Sequence, residues 1–247
     1  VDDDHWTLDV APDWASSFGD VTQVLAFLRS PGDLIQEHDR GWVYRGQAAG
    51  RAIIVKRSKT QERRAWPILT SVYRGGEGSR TFRNLTRLER AGVAVPAPIF
   101  ALERRRAGFV VESWHACEYL DGMACTCADA PRVAVALRAL HDRGWVHRDP
   151  HVKNFLRAGD TIRVIDWSKA QPWRSTYARR YDLVLLNKCC PGAAAFYPEF
   201  DEADVPYRLA RRHNAWIVGW RRVKRLVRAR LGIRRGTPSP PNEAHQE

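Results

Sequence analysis

The chain has 247 residues, 44% of them hydrophobic, with a net charge of +12. That length and apolar content support one two-lobed unit with a substantial core and leave little room for a further domain. Nothing repeats, and the sequence has no run of about 18 apolar residues and no signal-like start, which argues against a membrane-spanning helix and predicts a soluble intracellular protein.

The first informative stretch runs from Gly41 to Lys56 and reads as two strands around a turn, with Lys56 closing the apolar run Ile53-Ile54-Val55. Gly41, Gly46 and Gly50 fit equally well as a glycine-rich loop over phosphates and as ordinary turn residues. A helix is expected over residues 79–91. The triplet Gly75, Gly76 and Gly78 predicts loop just before it, so Glu77 counts as a helical residue only if the helix starts early. Residues 97–103 and 108–114 then form a hairpin around the charged turn Arg104-Arg105-Arg106, and residues 115–122 follow as a hinge, with 112–117, Glu112 included, as the region to search for adenine contacts.

From Pro131 to Gly144 a helix is bounded by proline at its start and glycine at its stop, with Val133, Leu137 and Leu140 on one face. The short strand Trp145-Val146 leads into His147-Arg148-Asp149-Pro150-His151-Val152-Lys153-Asn154. Phe155-Leu156 and Ile162-Val164 bracket the turn Ala158-Gly159-Asp160 as a hairpin that presents Asp166 at its end. This block supplies three groups that phosphoryl transfer needs. Asp149 is placed as the base for an acceptor hydroxyl, while Asn154 and Asp166 offer oxygen ligands to the divalent ion on a triphosphate. His147 reads as a structural hydrogen-bonding residue.

Five cysteines fit a reducing compartment better than a disulfide framework. His115, Cys117, Cys125 and Cys127 lack the paired spacing of a structural zinc site. Cys189 and Cys190, at the end of a helix-like run from Tyr181, read as buried thiols.

The positive charge is local, because residues 208–235 contain eleven Lys or Arg and no Asp or Glu. Trp216, Trp220, Val223 and Val227 recur there at helical spacing. Such a helix suits the surface of an anionic bilayer, or its aromatic stripe packs on the second lobe and leaves the cations in solvent; the pattern favours packing. Residues 236–247, rich in Pro and polar side chains, are expected to be disordered.

The order His147, Asp149, Asn154, Asp166 resembles the protein-kinase-like superfamily. Together with Ile165-Asp166-Trp167 and the stretch from Phe82 to Pro98, it looks more narrowly like the bacterial lipopolysaccharide core kinases that act on heptose and Kdo, over roughly residues 40–190. The resemblance implies an α+β, bilobal fold, with residues 1–114 as a lobe of five strands and one main helix and residues 123–235 as a mainly helical lobe. It implies ATP and Mg²⁺, with Lys56 on the α- and β-phosphates, Gly46, Glu77 and Glu112 beside the nucleotide, Asp149 as base, and Asn154 and Asp166 on the metal. The usual helical acid that pairs with the lysine falls at Thr81, which leaves Glu77 as its substitute. An anionic glycolipid acceptor at the cytoplasmic face of the inner membrane would give the basic helix a purpose. The catalytic loop is shared by atypical protein kinases and antibiotic phosphotransferases. A nucleotide-binding pseudokinase or a nucleic-acid-binding module is the remaining alternative, and the latter lacks a recognised motif.

Overall fold

The computed structural model describes residues 4–38, 41–59 and 65–230. β1 (Asp4–Val10), helices α1 (Ala15–Phe18) and α2 (Val21–Leu28), and strands β2 (Asp33–His38), β3 (Gly41–Ala48) and β4 (Arg51–Ser58) come first. Helices α3 (Ala65–Arg74) and α4 (Glu77–Arg90) follow, then β5 (Pro98–Arg106) and β6 (Phe109–Glu118). These strands build an antiparallel six-stranded sheet in the order β1-β5-β6-β4-β3-β2. The sheet has six strands where the sequence reading counted five.

Alternation along β4 and β6 separates two environments. Ile53, Val55, Trp114 and Ala116 join Trp14, Phe18, Val24 and Phe100 in a core on the outer face, beneath α1 and α2. Ile54 and Cys117 face the other way and pack into the core of the second lobe, with Leu85 and Leu88 of α4. Lys56 has the parity of Ile54 and is paired across the sheet with His115, so both lie on the side that faces the second lobe.

The second lobe contains β7 (Met123–Ala124), α5 (Ala130–Asp142), β8 (Trp145–Val146), β9 (Phe155–Ala158), β10 (Thr161–Val164), β11 (Gln171–Pro172), α6 (Thr176–Cys189) and α7 (Val205–Arg230). β9 and β10 are the expected hairpin, and β8 pairs with β11 to brace the loop between them. α5 buries Val133, Ala134, Leu137 and Leu140 as its spacing predicts.

Two sequence expectations fail. β6 continues to Glu118, four residues into the expected hinge, because Lys56, Val55 and Ile54 of β4 pair with residues 115–117 and keep them in the sheet. Cys127 and Cys190 form a disulfide with their Cα atoms 5.4 Å apart, while Cys117, Cys125 and Cys189 are free. The chain turn after α6 returns Cys190 to the start of the second lobe, a proximity hidden by 63 residues of separation. Cysteine content therefore carries no case for a reducing compartment. The expected disordered segment, residues 236–247, lies outside the described residues.

Candidate active site

The loop after β8 is held by a buried carboxylate. Asp182 of α6 accepts the backbone N–H of His147 at 2.7 Å and of Arg148 at 2.8 Å, and its Oδ2 lies 3.1 Å from His141 Nε2. The other ring nitrogen of His141 lies 2.8 Å from the Tyr197 hydroxyl. These bonds hold Arg148 at φ +63°, a left-handed conformation that a non-glycine residue adopts only when its surroundings impose it. His147, fully buried against Phe155 and Trp167, donates from Nε2 to the Ile165 carbonyl at 3.0 Å. One imidazole thereby ties the loop carrying Asp149 to the segment carrying Asp166.

Asn154 is fixed from both ends. Its backbone N–H donates to the His151 carbonyl at 2.7 Å, and its side-chain Nδ2 donates to the Asp149 carbonyl at 2.8 Å. A carbonyl accepts only from the NH₂ end of the amide, so Oδ1 is left as the acceptor for something else.

Asp166 sits at φ +62° immediately before the single 3-10 turn Trp167–Lys169, and its Oδ1 accepts from Ser168 at 3.1 Å. Burial pushes its pKa upward. The charge of Lys56, with smaller contributions from His147, Ser168 and Lys169, outweighs that and holds the carboxyl below the ordinary carboxylate range. An ionised carboxylate and an amide oxygen are hard donors of the kind that Mg²⁺ takes alongside phosphate oxygens and water, so Asp166 and Asn154 fit that ion.

Lys56 is half-buried and forms no ion pair among the described residues, yet its charge acts on Asp166, His115 and Cys117. Burial pushes the His115 imidazole down to about 3, with Lys56 adding to the effect, so the ring is neutral at ordinary pH. Burial likewise pushes the Cys117 thiol up to about 11. A neutral imidazole and a neutral thiol thus flank the lysine on one sheet face.

The remaining expected residues are placed differently. Gly46 is in mid-strand, and a Cβ there would lie 2.3 Å from the Pro31 carbonyl oxygen, so its missing side chain serves packing on the α2–β2 connection. The β3–β4 turn is Ala49-Gly50, at the opposite end of β4 from Lys56, and the residues between β2 and β3 lie outside those described. Glu112 lies on the outer sheet face, where it accepts from Trp114 Nε1 at 2.9 Å and pairs with Arg57 at 3.3 Å and Arg104 at 3.5 Å. Strand alternation turns it away from Lys56 and His115, a correction to the expected nucleotide contact.

Glu77 is the first residue of α4 and accepts from the Ser58 hydroxyl at 2.9 Å. It does not come within ion-pair distance of Lys56, and Thr81, the other position considered, donates back to the Glu77 carbonyl at 2.8 Å. The glycines that suggested loop here allow close packing instead. The N–H of Gly76 donates to buried Glu103 at 2.6 Å and that of Gly78 to Ser113 Oγ at 2.8 Å, which satisfies amides that a helix start leaves open.

Three contributors escaped the sequence reading. Asp182 carried a faint signal, as a lone acid before the apolar run Leu183 to Leu186. Asn84 of α4 donates from Nδ2 to the carbonyls of Trp167 at 2.9 Å and Ala170 at 2.8 Å, joining the first lobe to the Asp166 segment. Lys169, three residues after Asp166, forms an ion pair with the Asp149 carboxylate.

Two acids, an amide and two lysines thus converge where the sheet meets the loops of the second lobe. A family model described as the lipopolysaccharide kinase (Kdo/WaaP) family matches residues 75–206, just over half of the chain. Among solved structures, WaaP in complex with acyl carrier protein is similar at a TM-score of 0.54 and 19% identity, covering 88% of this chain and 97% of that one. A spectinomycin phosphotransferase with ADP and spectinomycin follows at TM-score 0.49 and 12% identity, with 78% and 84% covered. The amicoumacin kinase hAmiN with AMP-PNP, Ca²⁺ and Ami follows at 0.47 and 14%, with 82% and 78% covered.

Proposed function

Because the chain belongs to the lipopolysaccharide kinase (Kdo/WaaP) family, we propose that it transfers the γ-phosphoryl group of ATP to a hydroxyl of a heptose or Kdo sugar in the lipopolysaccharide inner core. The observation that carries this reading is that Asp149, Asn154 and Asp166 stand on segments tied together by hydrogen bonds, with Lys56 near enough for its charge to hold Asp166 ionised.

Asp149 orients the acceptor hydroxyl and takes its proton as the new oxygen–phosphorus bond forms and the bond from γ-phosphorus to the β-phosphate oxygen breaks, releasing ADP. Lys56 offsets charge on the α- and β-phosphates. Asn154 Oδ1 and the Asp166 carboxylate would hold Mg²⁺, which would supply neutralising charge at the phosphates. Asp182 and His147 act through the backbone, keeping base and metal ligands in register before substrate arrives. The acceptor is an anionic glycolipid, so we place the reaction at the cytoplasmic face of the inner membrane.

The test is ATP turnover with deacylated inner-core oligosaccharide, comparing wild type with Asp149→Asn. The variant is expected to lose about 10²–10⁴-fold in kcat while still binding ATP. Equal rates would remove Asp149 from the reaction. Absence of turnover with heptose- and Kdo-containing acceptors alike would overturn the substrate reading.

A further inference from the structure

Among the described residues, the far half of α7 is exposed to solvent. Its near half is anchored: Tyr207 and Ala210 are buried, Phe200 meets Tyr207 edge-to-face at 4.9 Å, and the Tyr177 hydroxyl lies 2.6 Å from His213 Nδ1. Beyond the half-buried Ile217, every residue from Val218 to Val227 is exposed. The tryptophan stripe therefore does not pack on the second lobe, contrary to what its pattern favours. Trp216 is 67% exposed, Trp220 60%, Val223 50% and Val227 48%.

At about 100° per residue, positions 216, 220, 223 and 227 fall within an arc of about 60°. Arg221 and Arg225 fall on the other side of the helix and Lys224 on its flank; of the anchoring residues, Tyr207, Ala210 and Ile217 are turned away from the stripe, while His213 lies at its edge beside Trp216. Two indoles and two valines on a free face, backed by arginine and lysine with no acid anywhere in α7, match the chemistry of a helix lying in a bilayer interface. The rings suit the headgroup boundary, the valines enter the acyl region, and the cations meet anionic headgroups.

We infer that residues 216–230 of α7 form a docking element for an anionic phospholipid surface. The element rests on the proposed glycolipid acceptor for its purpose, since it would hold the cleft beside a substrate embedded in the same leaflet. Its binding requires no turnover.

The experiment uses the full chain and vesicles of phosphatidylcholine with or without roughly one-third phosphatidylglycerol. Co-sedimentation is expected only with the anionic vesicles, falling steeply with salt. Trp216→Ser combined with Trp220→Ser is expected to weaken partitioning at least about tenfold. Arg221→Gln with Lys224→Gln and Arg225→Gln is expected to weaken it similarly and to flatten its salt dependence. Turnover of deacylated oligosaccharide should be unchanged in both variants.

Lack of binding to anionic vesicles, or equal binding by the tryptophan variant, overturns the inference. So does a wild-type dimer that the tryptophan variant converts to monomer, which would assign the stripe to a second copy. Increased binding after removal of residues 231–247 would assign it to the chain's own segment, and salt-sensitive capture of a small acidic protein without vesicle binding would assign it to a protein partner. Vesicle binding without oligosaccharide turnover would sink the substrate reading and leave this inference intact.

Discussion

Lys169 lies between the two carboxylates of the proposed reaction. It pairs with Asp149, and it is among the charges that lower the pKa of Asp166. A hydroxyl arriving at Asp149 must share that carboxylate with an ammonium group, and a γ-phosphate arriving nearby offers the same ammonium a stronger anion. In the proposed reaction this position suits Lys169 to follow the transferred charge from base to phosphate, and at 48% side-chain exposure it has little packing to lose. Lys169→Met is expected to lower kcat about tenfold to a hundredfold with a smaller change in the KM for ATP, and Lys169→Arg to recover part of the loss by keeping the charge. Steady-state kinetics on the three proteins decide this: an unchanged kcat in the methionine variant removes Lys169 from the chemistry.

At the level of elements, two helical glycines that look alike in sequence do opposite things. Gly78 lets the first turn of α4 rest directly on β6, where a Cβ would fall 2.3 Å from the Trp114 carbonyl oxygen and 2.8 Å from Ser113 Oγ. A Cβ on Gly219, in the exposed half of α7, would meet nothing within 4 Å beyond its own helix among the described residues. Alanine favours a helix by about 1 kcal/mol over glycine, so Gly219→Ala should stabilise by up to that amount. Gly78→Ala should destabilise by about 1–3 kcal/mol, because overpacking against backbone exceeds the propensity gain. Urea unfolding of both variants measures the signs, and stabilisation by Gly78→Ala would contradict the packing described. The same contrast explains what was legible in the sequence. Elements whose signal is local were readable: the α5 stripe, the β9–β10 hairpin, and the order of His147, Asp149, Asn154 and Asp166. What depended on distant backbone was not, so Gly75-Gly76-Glu77-Gly78 reads as loop until β6 and Glu103 are beneath it. Glu112 reads as cleft-facing until the register of β6 is known, and Gly46 reads as a phosphate-loop residue until Pro31 lies against it.

Over the whole molecule, the charge imbalance was readable because it is a count, whereas the direction of the α7 stripe was not, because both packing and projection satisfy the same periodicity. The cysteines show the same limit. Their number suggested free thiols, yet the fold brings Cys127, at the entry to α5, against Cys190, just after α6, closing a loop that contains Asp149, Asn154, Asp166 and Asp182. Cross-linking a loop of that length restricts the unfolded chain and stabilises the native one by about 2–4 kcal/mol. Cys127→Ser is therefore expected to lose about that much stability in urea under oxidising conditions and to match wild type once both are fully reduced. Thiol titration of oxidised wild type in denaturant should count three groups, those of Cys117, Cys125 and Cys189. Five titratable thiols in oxidised wild type, with no stability difference from Cys127→Ser, would mean that the two helices hold the catalytic loops in place without the covalent link.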